Sequence, residues 1–339
     1  ACIDAGWHTA WWPAKWGGRG LTSIHAHIWA TQLGLAGAEF TQGFGQAVLG
    51  PALHEVGELA QKQQFLSDIV ADQVVWAAAL WEPQDRDGPH LATQVEATAR
   101  GYLLNGQKYV AASVVPPGWL LCFVRTRPGP LCQATTALLL EAGRCAQQKL
   151  DDARTLITLD HLQVEGAARL GPEHQAWDLL TQVIVNEQAM FGRAARLHTL
   201  LGDMNNLAAT TDHLEPQLLA DLNAAGVAVA ALEAIELRLL DGPPLKADFM
   251  LQSTLRLRSS ALLRELAGLR LRLDGYAAVA DPEPYETDNE PLYGSRSGWG
   301  MLTGSMAFDD FDVKDRLARN LAASRMGWVE RLAEWGRQT

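Results

Sequence analysis

The sequence predicts an α+β chain: helical at both ends, with a middle built from short strands. Two observations predict it. Apolar residues recur at three- and four-residue steps near both ends, whereas the middle alternates brief β-rich runs with turn residues. With 339 residues, two or three domains are expected. The grammar changes place an N-terminal helical domain at 1–73, a β-barrel or sandwich at 74–165 and a C-terminal four-helix bundle at 166–339.

The opening helices come first. Thr22 or Ser23 can cap a helix through Ala38, and His54 to Val70 carries Val56, Leu59, Ala60, Phe65, Leu66 and Ile69 at helical steps, with Gly50-Pro51 punctuating the two. The β-rich runs are Val74–Leu80, Gln94–Ala99, Tyr102–Leu104, Trp119–Arg125, Thr135–Leu140 and Leu156–Val164. Asn105-Gly106 is the strongest hairpin signal, and Pro116-Pro117-Gly118 and Pro128-Gly129-Pro130 mark further turns. After Gly171, the stretches Trp177–Leu201, Leu214–Leu240, Leu245–Leu273 and Asp310–Trp335 are each long enough for bundle helices. A loop rich in Pro, Gly and acid, Asp281 to Gly300, separates the last two; such loops are usually functional or disordered.

Composition narrows the function. Lys and Arg total 28 against 39 Asp and Glu, a formal charge of −11, which argues against a nucleic-acid binder that neutralises phosphates. No uninterrupted apolar stretch approaches the roughly 20 residues of a spanning helix, so no membrane span is expected. Cys2, Cys122, Cys132 and Cys145 form no CxxC pair and are expected to be reduced, buried thiols. No signal-peptide pattern opens the chain, and the cytoplasm is the default expectation. Five of the 12 Trp crowd the opening (Trp7, Trp11, Trp12, Trp16 and Trp29), where core or interface packing is the plain reading.

Other residues carry weaker signals. His25 and His27, two apart on a predicted helix, do not share a face, and no cluster joins them to make a metal site. Arg256, Arg258, Arg264, Arg270 and Arg272 form a basic run with two readings: a solvated or partner-facing surface, or contact with phosphates. Asp309, Asp310, Asp312 and Asp315 suit the N-terminus of the last helix. Gly17, Gly18 and Gly20 lack the preceding strand and following G-K-[ST] of a phosphate loop.

Six short words in order then resemble the acyl-CoA dehydrogenase family across residues 5–171. Ala5-Gly6-Trp7 through Trp12-Pro13-Ala14-Lys15-Trp16-Gly17-Gly18-Arg19-Gly20 resembles its W-P-x-x-x-G-G-x-G entry. Gly50-Pro51, Gly57 and Gln61-Lys62 through Phe65-Leu66 follow its G-P…G…Q-K…F-L helix, and Trp81-Glu82-Pro83 stands where the family has Ser/Thr-Glu-Pro. Asn105-Gly106-Gln107-Lys108 is similar to N-G-x-K, and Val124-Arg125-Thr126 to V-R-T. Leu159-Asp160-His161-Leu162-Gln163-Val164 with Leu170-Gly171 resembles the strand that closes the barrel.

The resemblance implies FAD, an acyl-CoA substrate and electron-transfer flavoprotein as acceptor. In the family a carboxylate takes the α-proton of the thioester and the β-hydrogen leaves as hydride to the flavin. One family position for that base is empty here, reading Leu302-Thr303-Gly304-Ser305; the other, a Glu-Arg pair, reads Asn186-Glu187-Gln188 and makes Glu187 the candidate base. Its neighbours Val183, Ile184, Val185, Ala189, Met190 and Phe191 are apolar, so a carboxylate there needs a raised pKa, as in a base, or a partner, as in a structural Glu.

The positions implied for the cofactor are Trp81, Gly88, His90, Val110 and Ser113, and they depart from the family. Trp81 replaces a hydroxyl residue that bonds the flavin ring. Gly88-Pro89-His90 stands for Gly-Ser-Asp, and Pro89 has neither hydroxyl nor N–H; Val110 and Ala112 replace a Trp and a Thr or Ser. The family's cross-subunit Arg is missing from Asp212-His213-Leu214-Glu215-Pro216-Gln217, and its glycine turn shrinks to Leu273-Asp274-Gly275-Tyr276. Losing three such bonds, at ~1 kcal/mol or more each when buried, weakens FAD binding in this pocket. The leading expectation is one subunit of a heterotetrameric dehydrogenase acting on a bulky, steroid-type acyl-CoA, with FAD shared with or held mainly by a homologous subunit. The alternatives are a homo-oligomeric FAD dehydrogenase using Glu187, and a non-catalytic scaffold or acyl-CoA-binding subunit.

Overall fold

The computed structural model describes residues 6–36, 43–85, 89–111, 115–150, 154–186, 193–211, 213–241 and 249–275. Helix α1 spans Ser23–Leu35, and Thr22 Oγ1 accepts from the His25 N–H at 3.4 Å in its first turn. The helix expected as far as Ala38 therefore ends at Leu35.

Gly50-Pro51 does not separate two helices. A π-helical turn, Gly45–Leu49, runs straight into α2, Gly50–Val56, so Pro51 sits within a continuous helical stretch just after the wider turn. Gly50 is required by packing, because a Cβ there would collide with the indole of Trp12, itself 1% exposed. The break falls after α2 instead, ahead of α3, Leu59–Val70. Glu58 caps α3, and Gln61 Oε1 accepts from the Glu58 N–H at 3.1 Å, completing a capping box. Gln61 Nε2 also donates to the carbonyls of Ala167 and Arg169, each at 2.9 Å, and so ties the opening helices to the strands.

The middle of the chain forms two four-stranded sheets. The strands are β1 Trp76–Ala79, β2 Gln94–Thr98, β3 Gly101–Ala111, β4 Trp119–Arg125, β5 Thr135–Glu141, β6 Ala146–Lys149, β7 Arg154–Glu165 and β8 Arg169–Leu170, with a short helix α4, Leu131–Ala134, before β5. One sheet runs β1-β4-β5-β8, with β1 and β4 parallel; the other runs β2-β3-β7-β6 and is antiparallel throughout. Leu104, Val110, Leu120, Cys122, Leu138, Ile157 and Leu159 belong to one core between them, and a Trp81–Tyr109 bridge stitches the sheets at one edge.

Asn105-Gly106 makes no hairpin. It lies inside β3 at a register shift against β7, and the β2–β3 hairpin turns between Thr98 and Gly101. The pattern misled because Asn-Gly serves here as a bulge. Asn105 Oδ1 accepts from the His161 N–H at 2.8 Å across the shift.

The closing helices are α5 Trp177–Asn186, α6 Arg193–Thr210, α7 Pro216–Arg238 and α8 Phe249–Asp274. The single helix expected over Trp177–Leu201 is thus described in two parts. Asp310–Trp335, the loop Asp281–Gly300 and Leu302-Thr303-Gly304-Ser305 lie outside the described residues. Helices α6, α7 and α8 share one apolar core, and α1 packs on α6.

Two expectations are corrected in the bundle. Helix α7 is long and apolar enough to cross a membrane by length and composition, although its buried stripe of Leu218, Leu222, Ala225, Val229 and Leu232 belongs to the bundle core. The arginines of α8 do not form one solvated face. Arg256 is buried, while Arg272 pairs with Asp221 at 2.6 Å and Glu215 at 3.2 Å, pinning the start of α7. Of the thiols, Cys122 is buried but Cys132 is exposed, and Cys2 lies outside the described residues.

Gly50→Ala should destabilise the protein by about 1–3 kcal/mol through overpacking against Trp12. Adding Trp12→Phe should recover part of that loss, as read by denaturant unfolding of the single and double variants.

Candidate functional site

The family's Glu-Pro and N-G-x-K words meet in space as a buried ion pair. Glu82 follows β1, Lys108 lies on β3, and both side chains are essentially inaccessible. Lys108 Nζ donates to Glu82 Oε1 at 2.6 Å and to the Phe123 carbonyl of β4 at 2.8 Å. Glu82 Oε1 also accepts from the Thr93 N–H at 2.9 Å and the Thr93 hydroxyl at 2.6 Å. Its Oε2 accepts from the Ala92 N–H at 2.6 Å and Gln84 Nε2 at 2.8 Å. Gly106 admits Thr93 to this cluster, because an added Cβ would stand 2.9 Å from Thr93 Oγ1. Burial pushes the Glu82 carboxyl up, but Lys108 and the Thr93 bonds outweigh it and hold it below the usual range. A carboxylate so fully paired has no lone pair left for a substrate proton; it joins the sheets.

Of the positions implied for the cofactor, Trp81 precedes Glu82 and Val110 lies two residues after Lys108 on β3. Trp81 is half-buried against a core to which α5 contributes Leu180 and Val183, and its carbonyl accepts from the Tyr109 N–H at 2.7 Å. Val110 is 3% exposed in the core between the sheets. His90 is already engaged: its backbone N–H donates to Asp85 Oδ1 at 3.0 Å, its Nδ1 lies 2.9 Å from the same oxygen, and its carbonyl accepts from Arg125 at 2.9 Å. Gly88, Ser113 and Glu187 lie outside the described residues. The described positions therefore do not fit a flavin as the family's residues do. Valine has no polar group, Trp81 offers only an indole N–H, and Pro89 lacks the donor that a pyrophosphate needs.

Sequence reasoning missed a second buried carboxylate, Glu236 on α7. Its Oε1 accepts from the backbone N–H groups of Arg193 at 2.8 Å and Ala194 at 3.1 Å, and among the described residues its Oε2 has no hydrogen-bond partner. Burial is the main cause that raises its pKa to about 7, against smaller opposing contributions from those bonds and the Arg193 charge. The only sequence signal was a carboxylate at the end of the α7 apolar stripe.

A cavity of about 470 Å³ lies elsewhere, lined by residues including Phe65, Arg100, Trp119, Arg144 and Glu165. Trp119 pairs with Trp76 at the start of β1, whereas Trp81 follows the strand's end, so this cavity sits at the opposite end of the sheets.

Comparison with known proteins places this geometry. Residues 1–73 match the family described as acyl-CoA dehydrogenase, N-terminal domain. Acyl-CoA dehydrogenase IpdE1 of Mycobacterium tuberculosis is 30% identical over 131 residues, covering 38% of this chain and 34% of that protein. What matches in sequence is thus an acyl-CoA dehydrogenase N-terminal domain over residues 1–73. The match spans about a third of that curated relative's length. Solved structures share the fold over nearly the whole chain. The ChsE4-ChsE5 complex from Mycobacterium tuberculosis has a TM-score of 0.74 at 19% identity, covering 95% of this chain and 86% of that one. The Tcur3481-Tcur3483 steroid ACAD has a TM-score of 0.74 at 16% identity, with 95% and 85% covered.

Lys108→Met should cost about 3–5 kcal/mol, because it leaves the buried Glu82 charge uncompensated. The Glu82→Gln/Lys108→Met double variant should lose much less than the two single losses added together, as measured in a double-mutant cycle.

The two carboxylates also give opposite pH dependences. Glu82 sits low when folded, so its stabilisation is present above the ordinary carboxylate range and is lost as pH falls through its folded pKa. Glu236 is raised from 4.5 to about 7, so the folded state holds the extra proton and stability falls as pH rises through that window, by about 3 kcal/mol. Glu236→Gln should flatten the fall between pH 5 and pH 8 in a series of urea unfolding curves.

Proposed function

We propose that this chain is one subunit of a heteromeric, FAD-dependent acyl-CoA dehydrogenase that carries out α,β-dehydrogenation of a bulky acyl-CoA thioester. A homologous subunit holds most of the flavin site, and electron-transfer flavoprotein takes the electrons. The steroid-type acyl group is suggested by the likeness to the Tcur3481-Tcur3483 steroid ACAD, and the paired assembly by the likeness to the ChsE4-ChsE5 complex. The cytoplasm is the compartment that goes with this reading.

One observation carries the proposal. Two of the words that carry the resemblance meet in the buried Glu82–Lys108 cluster, while the positions implied for the flavin hold the half-buried Trp81 and the buried Val110. A scaffold kept without its cofactor contacts is what a subunit needs when its partner supplies the flavin. No step of the chemistry is assigned to these positions. This chain's part is to hold the two sheets in register through Glu82 and Lys108 and to present a surface to the partner.

Helix α7 supplies a surface of the right kind. Opposite its buried stripe, Leu219, Val227 and Leu237 are 49%, 73% and 50% exposed, with Ala220, Ala224 and Ala231 exposed on the same helix. Small side chains let another helix approach closely, and an apolar face of this length is costly to leave in water.

The visible spectrum tests the reading. Purified alone, the chain should be colourless. Co-expressed with a homologous dehydrogenase subunit from the same genome, it should yield a yellow complex that dehydrogenates a steroid-type acyl-CoA. A yellow, active assembly of this chain alone would overturn the proposal and favour the homo-oligomeric alternative.

A further inference from the structure

The buried stripe of α7 reads Leu218, Leu222, Ala225, Val229, Leu232 and Glu236 at alternating four- and three-residue steps. Five members are apolar, and the sixth, 1% exposed, is a carboxylate in a position where packing alone calls for a sixth apolar residue. Its contacts are to another helix. Oε1 receives the first two N–H groups of α6, those of Arg193 and Ala194, so α7 caps α6 from outside. The capped turn is held from a third side as well, because Arg193 Nη1 donates to Ser259 Oγ of α8 at 3.2 Å.

Three elements bring ionisable groups to this point. From α1 comes His27, 3.9 Å from Glu236 Oε2 and depressed by burial; from α6 come Arg193 and His198. Glu233 stands one turn earlier on α7, 3.4 Å from His198. The carboxylate thus links α1, α6 and α7, and its Oε2 lies on the side of His27 of α1.

We propose that Glu236 is a positioning residue: its carboxyl group holds the first turn of α6 against α7 and α1, and ionisation loosens the hold. Bonds from the two backbone N–H groups favour the charge, but the cost of burying it exceeds them, so the opened, hydrated state gains when the proton leaves. Its consequence for turnover rests on the dehydrogenase reading above; the clamp itself does not. Helix α6 begins six residues after Glu187 in the chain, so a shift in the start of α6 displaces the helix that follows the candidate base.

Amide hydrogen exchange on the full chain, alone and in the complex, tests the clamp without calling on activity. After correction for intrinsic exchange, protection of the Arg193 and Ala194 amides should fall about tenfold between pH 6 and pH 8 in the parent protein. Amides near Met204, in the same helix, should not follow. Glu236→Gln should hold protection at the low-pH value throughout, and in the complex it should remove the falling limb of kcat near pH 7. Protection in the parent that does not change with pH, or that rises, overturns the proposal even where the variant fails to fold. So does a variant that keeps the fall, or a turnover profile unmoved by the substitution. A complex without turnover in any form would sink the dehydrogenase reading while leaving the exchange result to judge the clamp.

Discussion

The β domain depends on one desolvated ion pair. Glu82 leaves the end of β1 in one sheet, Lys108 stands on β3 in the other, and the lysine's second bond reaches β4 at Phe123. Such a pair adds little net stability compared with two well-packed apolar side chains, because desolvation offsets most of the attraction. Its effect is on specificity. Any slip that separates the partners strands a charge in a core with no water to receive it. Thr93, Ala92 and Gln84 use the remaining lone pairs of the carboxylate, so the arrangement tolerates one register only. The Trp81–Tyr109 bridge, which joins the sheets and fixes what stands at the flavin position, is held by this same register.

How much of this was legible in the sequence follows from the range of each interaction. Trp119–Arg125 was readable to the residue because an unbroken apolar run between turn signals has few alternatives. Asn105-Gly106 was misread because a local rule ranks it as a turn, while its roles are set by residues far along the chain: His161 bonded by Asn105, and Thr93 admitted by Gly106. Gly50 failed likewise. Local chemistry reads it as a break, but the indole of Trp12 needs the missing side chain, and the chain stays helical through it. Local patterns reveal an element's existence; only the fold shows which distant partner has claimed a particular glycine.

The candidate site divides along the same line. The residues that carried the family resemblance are largely those with bonding partners inside this chain: Gln61 to the strand carbonyls, Glu82 to Lys108, and Asn105 to His161. Partners inside the chain constrain such residues whatever ligand the protein holds. The positions that the resemblance implies for the flavin are claimed differently: Trp81 and Val110 are packed into the nearest core. Glu236 was invisible at the sequence level for a related reason. A lone carboxylate closing an apolar stripe reads as the edge of a solvated face until the backbone of α6 is found beneath it.

Helix α7 shows why composition alone could not settle where its faces point. Its apolar content suffices to cross a bilayer, yet its inward stripe ends in a carboxylate committed to α6, and its first turns are fixed by ion pairs from Arg272. Spanning a membrane would place that carboxylate in hydrocarbon unless the bundle came with it. The bundle core accounts for one side of the helix but leaves Leu219, Val227 and Leu237 in water on the other. A helix apolar on both sides and anchored by charge at both ends suits the proposed contact with a partner subunit, because its outer face is then buried as well. The same contact accounts for a helix whose middle carries no charge in an acidic chain with 20% charged residues.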